Sequence, residues 1–342
     1  MELTRRTWLM GSLASAAAAG AVPSPVWRKH GRVLTPGFAG SRSKSWLSAP
    51  SVVKLKDNRL RLYFWGRAGG PGYIYAAECA PSLPLDWKLV TPDPVLGPSP
   101  VGNINDKGPG FPFVLRRDDG PWLMYYCSWG SWAAPREISN RTCLALSYDQ
   151  GITWTVMKEP LLPLGKPGSH DAGITGSVYV MRTAPKDYRM WYTAGSHYED
   201  IKGVHRAIAH IGYATSRDGI EWVKHPRAIL SPRLGAVAPY EAVVSKPSVL
   251  YLNGAYHMWL SVFCMEGRGY RLNYARSKNG IDWQRFPDDE VLPLSPGEFD
   301  STNQSYANVV EVGDELWMYY TGNGFGVTGI GLATINKSAL KM

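Results

Sequence analysis

Four acidic residues occupy matching points of the sequence. Asp106, Asp171, Glu241 and Asp300 each stand five or six residues ahead of a reference position in a predicted strand, in the contexts Asn105-Asp106, His170-Asp171, Tyr240-Glu241 and Phe299-Asp300. If those strands surround one axis, the four carboxyl groups meet on one face. Carboxyls crowded into a cleft have their pKa values driven apart, leaving one as acid and another as base. Proton transfer to and from a breaking bond is the chemistry such a set supports. The competing reading is structural, because Asp at a strand entry often bonds nearby backbone amides. His170 either tunes Asp171 or serves as a base itself. Lys246, directly before Pro247 at the start of another inner strand, would hold a carboxylate or phosphate group.

The elements that would position these residues are strands. The 342 residues include 14 Trp, 19 Tyr, 36 Gly and 26 Pro. Trp and Tyr favour strands, and this much Gly and Pro does not fit inside long helices. A repeat organises them. Ser147-Tyr-Asp149-Gln-Gly151-Ile-Thr-Trp154 recurs as Ser216-Arg-Asp218-Gly219-Ile-Glu-Trp222 and Ser277-Lys-Asn279-Gly280-Ile-Asp-Trp283, with Trp87 a degenerate copy. Between these lie strands ending in Leu62-Tyr-Phe, Met124-Tyr-Tyr, Met190-Trp-Tyr, Met258-Trp-Leu and Met318-Tyr-Tyr. Each has a strand before it and one after it, joined by tight turns such as Asn253-Gly254. One unit is therefore four antiparallel strands, the pattern of a propeller blade.

The last unit stops after its third strand. The missing piece is at the other end of the chain, where Trp27 is followed by Val33-Leu34. A strand from the N-terminus would complete the last blade and remove two sheet edges. The expected fold is all-β: a five-bladed β-propeller of four-stranded antiparallel blades, forming a single domain over residues 22–342. Residues 1–21 read as a twin-arginine-type signal peptide, from the Arg5-Arg6 pair, a short Ala-rich apolar stretch and the small residues Ala19-Gly20-Ala21. That implies a periplasmic or secreted protein, exported folded, with no membrane insertion. The 37 Lys and Arg and 28 Asp and Glu give a net charge of +9, but no basic run marks a nucleic-acid arm. The four cysteines form no Cys-x-x-Cys pair; Cys127 with Cys143, flanking a hairpin loop, is the pairing expected if one disulfide forms.

The blade count and the Met-Trp-Tyr strands resemble the arabinanase/levansucrase/invertase-like glycosidase superfamily over essentially the whole mature chain. The stretch from Met318 to Ala333 is similar to an uncharacterised branch of it. The resemblance implies a central funnel with carboxylates at the inner-strand entrances, acting on a glycan. It places acids at positions occupied here by Ala49, Phe111 and Thr175, so this chain departs from the usual set.

The function expected is an exported glycoside hydrolase or transglycosylase using Asp106, Asp171, Glu241 and Asp300. His170, Lys246, Gln304, Asn323, Arg67, Arg136 and His197 are the polar candidates for substrate binding. Trp129 and Trp132, in a Gly/Ser-containing loop, are the stacking candidates. Missing acids at the usual places favour a non-catalytic carbohydrate-binding propeller instead. A third class is non-glycosidic chemistry on a small molecule, since fold does not fix function. No phosphate-binding loop, dinucleotide fingerprint or zinc-protease motif is present, and no cofactor is expected. The partner is a glycan or other small molecule, met by a monomer.

Overall fold

The computed structural model describes residues 27–130, 140–201, 203–234, 240–265 and 267–340. The expected signal peptide, Trp132 and Arg136 lie outside the described residues. Strand β1 (Arg28–Leu34) comes first. The first four-stranded group is β2 (Trp46–Lys54), β3 (Leu60–Arg67), β4 (Tyr73–Cys79) and β5 (Lys88–Leu89). The second is β6 (Gly108–Leu115), β7 (Trp122–Trp129), β8 (Arg141–Ser147) and β9 (Thr155–Val156). The third is β10 (Ile174–Ala184), β11 (Asp187–Ile201), β12 (Val204–Ser216) and β13 (Trp222–Lys224). The fourth is β14 (Glu241–Leu252), β15 (Ala255–Cys264), β16 (Gly269–Ser277) and β17 (Trp283–Glu290). The fifth, β18 (Ser305–Val312), β19 (Glu315–Thr321) and β20 (Ile330–Asn336), takes β1 as its outer strand, antiparallel to β20.

The architecture is all-β and propeller-like. Inner strands β2, β6, β10, β14 and β18 touch one another in a closed cycle. Apolar side chains fill the spaces between successive groups, because each blade-like sheet has two faces to bury. Leu62 and Phe64 pack with Tyr319 and Leu332, joining the first group to the fifth. Equivalent clusters join first to second, second to third, third to fourth and fourth to fifth.

Two repeated devices fix the groups to each other. In the outer turns, the Ser147, Ser216 and Ser277 hydroxyls accept from the backbone of Gly151, Gly219 and Gly280, whose φ values are 85°, 83° and 79°. Only glycine takes that conformation freely. The glycine carbonyls then accept from the preceding group: Gly151 from the Tyr63 hydroxyl at 2.9 Å, Gly219 from the Tyr125 hydroxyl at 2.8 Å and Gly280 from Trp191 Nε1 at 2.8 Å.

Near the axis, one non-glycine residue in each inner strand has positive φ: Ala49, Phe111, Ser177, Lys246 and Tyr306. The ladder to the second strand slips at each of them, as at a β-bulge. The strained N–H is satisfied from the preceding group: Ala49 N donates to Thr321 Oγ1, Ser177 N to Cys127 Sγ, Lys246 N to Thr193 Oγ1 and Tyr306 N to Ser261 Oγ, at 2.7–3.1 Å. Trp65 holds the corresponding place ahead of Phe111, opposite Ser48 in the ladder, and offers no hydrogen-bond acceptor; its ring packs on Phe111 instead.

The third group departs from the repeat. Its β11–β12 hairpin runs 15 and 13 residues, overshoots the sheet and leans on the fourth group, where Ala209 pairs in parallel with Val243. Ile201, Ile208, Ala242 and Met265 form a small core at that junction. The disulfide expectation is corrected here. All four cysteines are free and buried. Cys127 lies opposite Thr142 and Cys143 opposite Tyr126, so the two cysteines are offset by one residue and point to opposite faces.

Candidate functional site

The inner ends of the groups enclose a cavity of about 970 Å³. Phe111, Ser177 and Tyr306, three of the five strained residues, are in its wall. Backbone strain of this kind costs on the order of 1 kcal/mol per residue and persists where the surroundings enforce it, commonly at working sites.

One side of the cavity is an aromatic arc. Trp129 stacks on Trp65 with centroids 5.8 Å apart, and Trp65 on Phe111 at 5.8 Å. Phe111 meets Tyr306 edge-on at 4.9 Å, and Tyr306 meets Tyr270 at 5.4 Å. Phe263 and Phe325 flank Tyr270 at 5.0 and 5.6 Å. The arc spans strands of the first, second, fourth and fifth groups, so it exists only once the ring is assembled.

The opposite side is polar. Ser177, Thr193, Asn140 and Ser245 line it, and the overlong hairpin adds Tyr198, His205 and Arg206. His205 Nδ1 is 3.0 Å from Asp200 Oδ1, and the imidazole stacks on Tyr198 with centroids 5.1 Å apart. Arg67 and Lys107 face the cavity beside Asp106. Asp106 is half-buried and accepts from Gly102 N at 2.8 Å. It is the single carboxylate among the described lining residues.

The expected convergence of four carboxylates is therefore corrected. Asp171, Glu241 and Asp300 are buried away from the cavity, each in an ion pair with an outer-strand cation. Asp171 accepts from Lys224 Nζ at 2.5 Å, the Tyr192 hydroxyl at 3.0 Å and Ser169 Oγ at 3.0 Å. Asp300 accepts from Lys29 Nζ at 2.6 Å, Gln304 Nε2 at 2.8 Å and the Tyr320 hydroxyl at 3.0 Å. Glu241 accepts two bonds from Arg285, at 2.7 and 3.0 Å, and one from Arg233 N at 2.9 Å. Burial works to raise the Asp171 carboxyl, but the hydrogen bond and charge of Lys224 prevail and hold it below the usual carboxylate range.

The reason is one of register. Counted back from the strained residue, the buried polar position is six residues away: Ser43, Asn105, Asp171 and Asp300, with Glu241 at five. In the second group Asn105 takes this place, fully buried and bonded to Ser99 and to the Gly97 carbonyl. Asp106 is the next residue and faces the cavity instead. The same alignment moves the third reference position from Thr175 to Ser177, the residue with φ of 46°.

The binding candidates divide likewise. Trp129 and Arg67 line the cavity. Gln304 is fully buried on Asp300 and the Pro293 carbonyl. Asn323 caps a loop, accepting from Thr302 N and Asn303 N at 2.8 and 2.9 Å. His170 is half-buried outside the lining, and burial lowers its pKa. His197 is exposed on the hairpin against Ser196 and Glu199. Lys246 is 1% exposed, with no hydrogen-bond partner for Nζ. Its neighbours Ser245 and Thr193 line the cavity, and burial pushes the ammonium down to about 8. Residue types and repeats alone missed Trp65, Lys107, Phe111 as a lining residue, Tyr270, Tyr306, His205 and Arg206. The unusual length of the β11–β12 hairpin was the available signal for the last two.

No protein-family model matches the chain. Two uncharacterised Mycobacterium tuberculosis proteins, from strains CDC 1551 / Oshkosh and H37Rv, are each 28% identical over 313 residues, covering 91% of this chain and 99% of theirs. Among solved structures, a glycoside hydrolase aligns with a TM-score of 0.71 and 17% identity, over 93% of this chain and 95% of that one. A glycosyl hydrolase from Bacteroides ovatus aligns with a TM-score of 0.67 and 14% identity, over 93% and 96%. A thermostable family-43 glycoside hydrolase aligns with a TM-score of 0.64 and 17% identity, over 91% of each. The fold of this chain is thus the one these glycoside hydrolase-like propeller proteins have.

Proposed function

We propose that this chain is an exported carbohydrate-active enzyme of the glycosidase-like superfamily, built as a closed five-bladed propeller. Residues 1–21 serve as its twin-arginine-type signal, and the mature protein acts as a monomer outside the cytoplasm. Sugar rings stack on the arc of Trp129, Trp65, Phe111 and Tyr306. Asp106 exchanges the proton with the glycosidic oxygen. The observation that carries this reading is the meeting of an aromatic arc and one carboxylate in a single cavity. Aromatic faces suit the apolar faces of sugar rings, and a carboxyl group is the usual donor to a leaving oxygen.

A second reading, a carbohydrate-binding propeller without catalysis, is favoured by that same single carboxylate. Glycoside hydrolysis ordinarily takes two, one on each side of the bond. Screening of an oligosaccharide panel for binding, followed by product analysis, separates the readings. Turnover that falls about 10²- to 10⁴-fold in Asp106→Asn, with binding retained, supports the enzyme. Glycans that bind tightly and emerge uncut from the wild type, whatever the pH, leave the binding module in its place.

A further inference from the structure

The charge of the described residues that line the cavity is one-sided. Against the carboxylate of Asp106 stand Arg67, Lys107 and Arg206; His205, beside them, has its own carboxylate partner in Asp200. Several part-buried cations elsewhere are matched: Arg61 holds Glu78, Arg182 holds Asp119, and Arg285 holds Glu241. Among the described residues, Arg67, Lys107 and Arg206 make no such pair. The Nε atoms of Arg67 and Arg206 are buried with no hydrogen-bond partner. Each guanidinium is instead held by an aromatic face: Arg67 lies 5.5 Å from the Trp46 centroid and Arg206 4.5 Å from the Phe263 centroid. Such contacts fix the plane of the group and leave its charge uncompensated. Lys246, fully buried with its Nζ also unpaired, adds a further cation beside the lining residues Ser245 and Thr193. Buried unpaired donors are costly to keep, and an anion arriving in the cavity would satisfy them.

We propose that the cavity takes an anionic saccharide, one carrying carboxylate or phosphate groups, with Arg67 and Arg206 anchoring the negative charge. This rests on the glycan reading above and adds the substrate class. Two arginines suit the role because a planar guanidinium meets carboxylate or phosphate oxygens in pairs. They come from different parts of the ring, the end of β3 and the overlong hairpin, so only the assembled cavity presents both.

Calorimetric titration with four probes tests it: an oligouronate, its carboxyl-reduced neutral counterpart, a phosphorylated oligosaccharide and inorganic phosphate alone. At least one acidic saccharide should bind roughly tenfold or more tightly than the neutral one, and Arg67→Met and Arg206→Met should each remove about tenfold of that affinity while sparing the neutral probe. Thermal melts of both variants show that they fold. Neutral and acidic saccharides binding equally, or both variants losing the two kinds equally, overturns the anion inference and leaves the glycan reading standing. Arginine-dependent binding of phosphate alone, with no saccharide bound, keeps an anion site but overturns both its saccharide class and the glycan reading. No binding of any acidic probe overturns the proposal.

Discussion

Asp171 and Asp106 are the same residue type at the same kind of place, just ahead of an inner strand, and the structure uses them differently. Asp171 is buried among Lys224, Tyr192 and Ser169 and ties a connector to the face of the sheet beside it. Asp106 is half-buried in the wall of a cavity. Asp300 and Glu241 belong with Asp171. The difference teaches that what repeats around this ring is scaffold. A residue that recurs in every unit is answering a need every unit has, namely a satisfied polar anchor where the connector crosses. Residues that break the repeat, such as Asp106 beside Asn105 and Arg206 on the overlong hairpin, supply charged groups that face the cavity.

Glu241→Leu should break the scaffold side of this comparison most severely. Glu241 and Arg285 have side-chain exposures of 6% and 7%, so removing the carboxylate takes two charge-assisted hydrogen bonds away from a buried guanidinium. The expected loss is about 3–6 kcal/mol, at about 1.5–3 kcal/mol for each charge-assisted bond, read as a drop in the denaturation midpoint. Adding Arg285→Met should restore much of it, since a buried ion pair and an apolar pair of similar volume differ little. A single variant as stable as the wild type would remove Glu241 from the scaffold class.

Lys246→Met should act in the opposite direction. Burial lowers the Lys246 ammonium to about 8, and the titratable group nearest in effect is the Cys127 thiol. Between about 8 and the ordinary lysine value the unfolded chain holds a proton that the folded chain has released, so wild-type stability rises with pH across that window. Below it the penalty of burying the charge is present in full. The variant, freed of that penalty, should be more stable at neutral pH by roughly 3 kcal/mol, with the gap closing as pH approaches 10.5. Equal stability at pH 7 would mean that the ammonium is already paired.

The scaffold was legible in the sequence, and the site was legible only in part. Trp27, the Ser-x-Asp-Gly turns and the Met-aromatic strands recur from unit to unit, so repetition exposed them and the strand order. It also exposed the acids, but not which way they point. Asn105 and Asp106 are adjacent in the turn ahead of β6, one buried and the other in the cavity wall, so mistaking Asp106 for the equivalent of Asn105 exchanges anchor and cavity residue. Nor does spacing reveal that Lys224, Arg285 and Lys29, outer-strand cations, would meet Asp171, Glu241 and Asp300. The aromatic arc needed the ring assembled, because Phe111 and Tyr306 are nearly 200 residues apart in sequence and touch only across the axis.

The finest test is one substitution made at two sites. Asp171→Asn removes the charge facing Lys224 and should cost about 1.5–3 kcal/mol, the range for hydrogen bonds to charged groups. Because the folded Asp171 pKa is lowered, that advantage is complete above the ordinary carboxylate value near 4 and disappears as pH falls through the folded value. The two proteins should therefore melt alike in strong acid and differ at pH 7. Asp106→Asn should cost clearly less than Asp171→Asn at pH 7, because Asp106 is only half-buried in the cavity wall. Its bond from Gly102 N can be accepted equally by an amide oxygen. Parallel melts of both variants across pH 3–8 make the comparison directly. A loss at Asp106 as large as that at Asp171, with the same dependence on pH, would make it a fourth scaffold carboxylate and leave the cavity without an acid of its own.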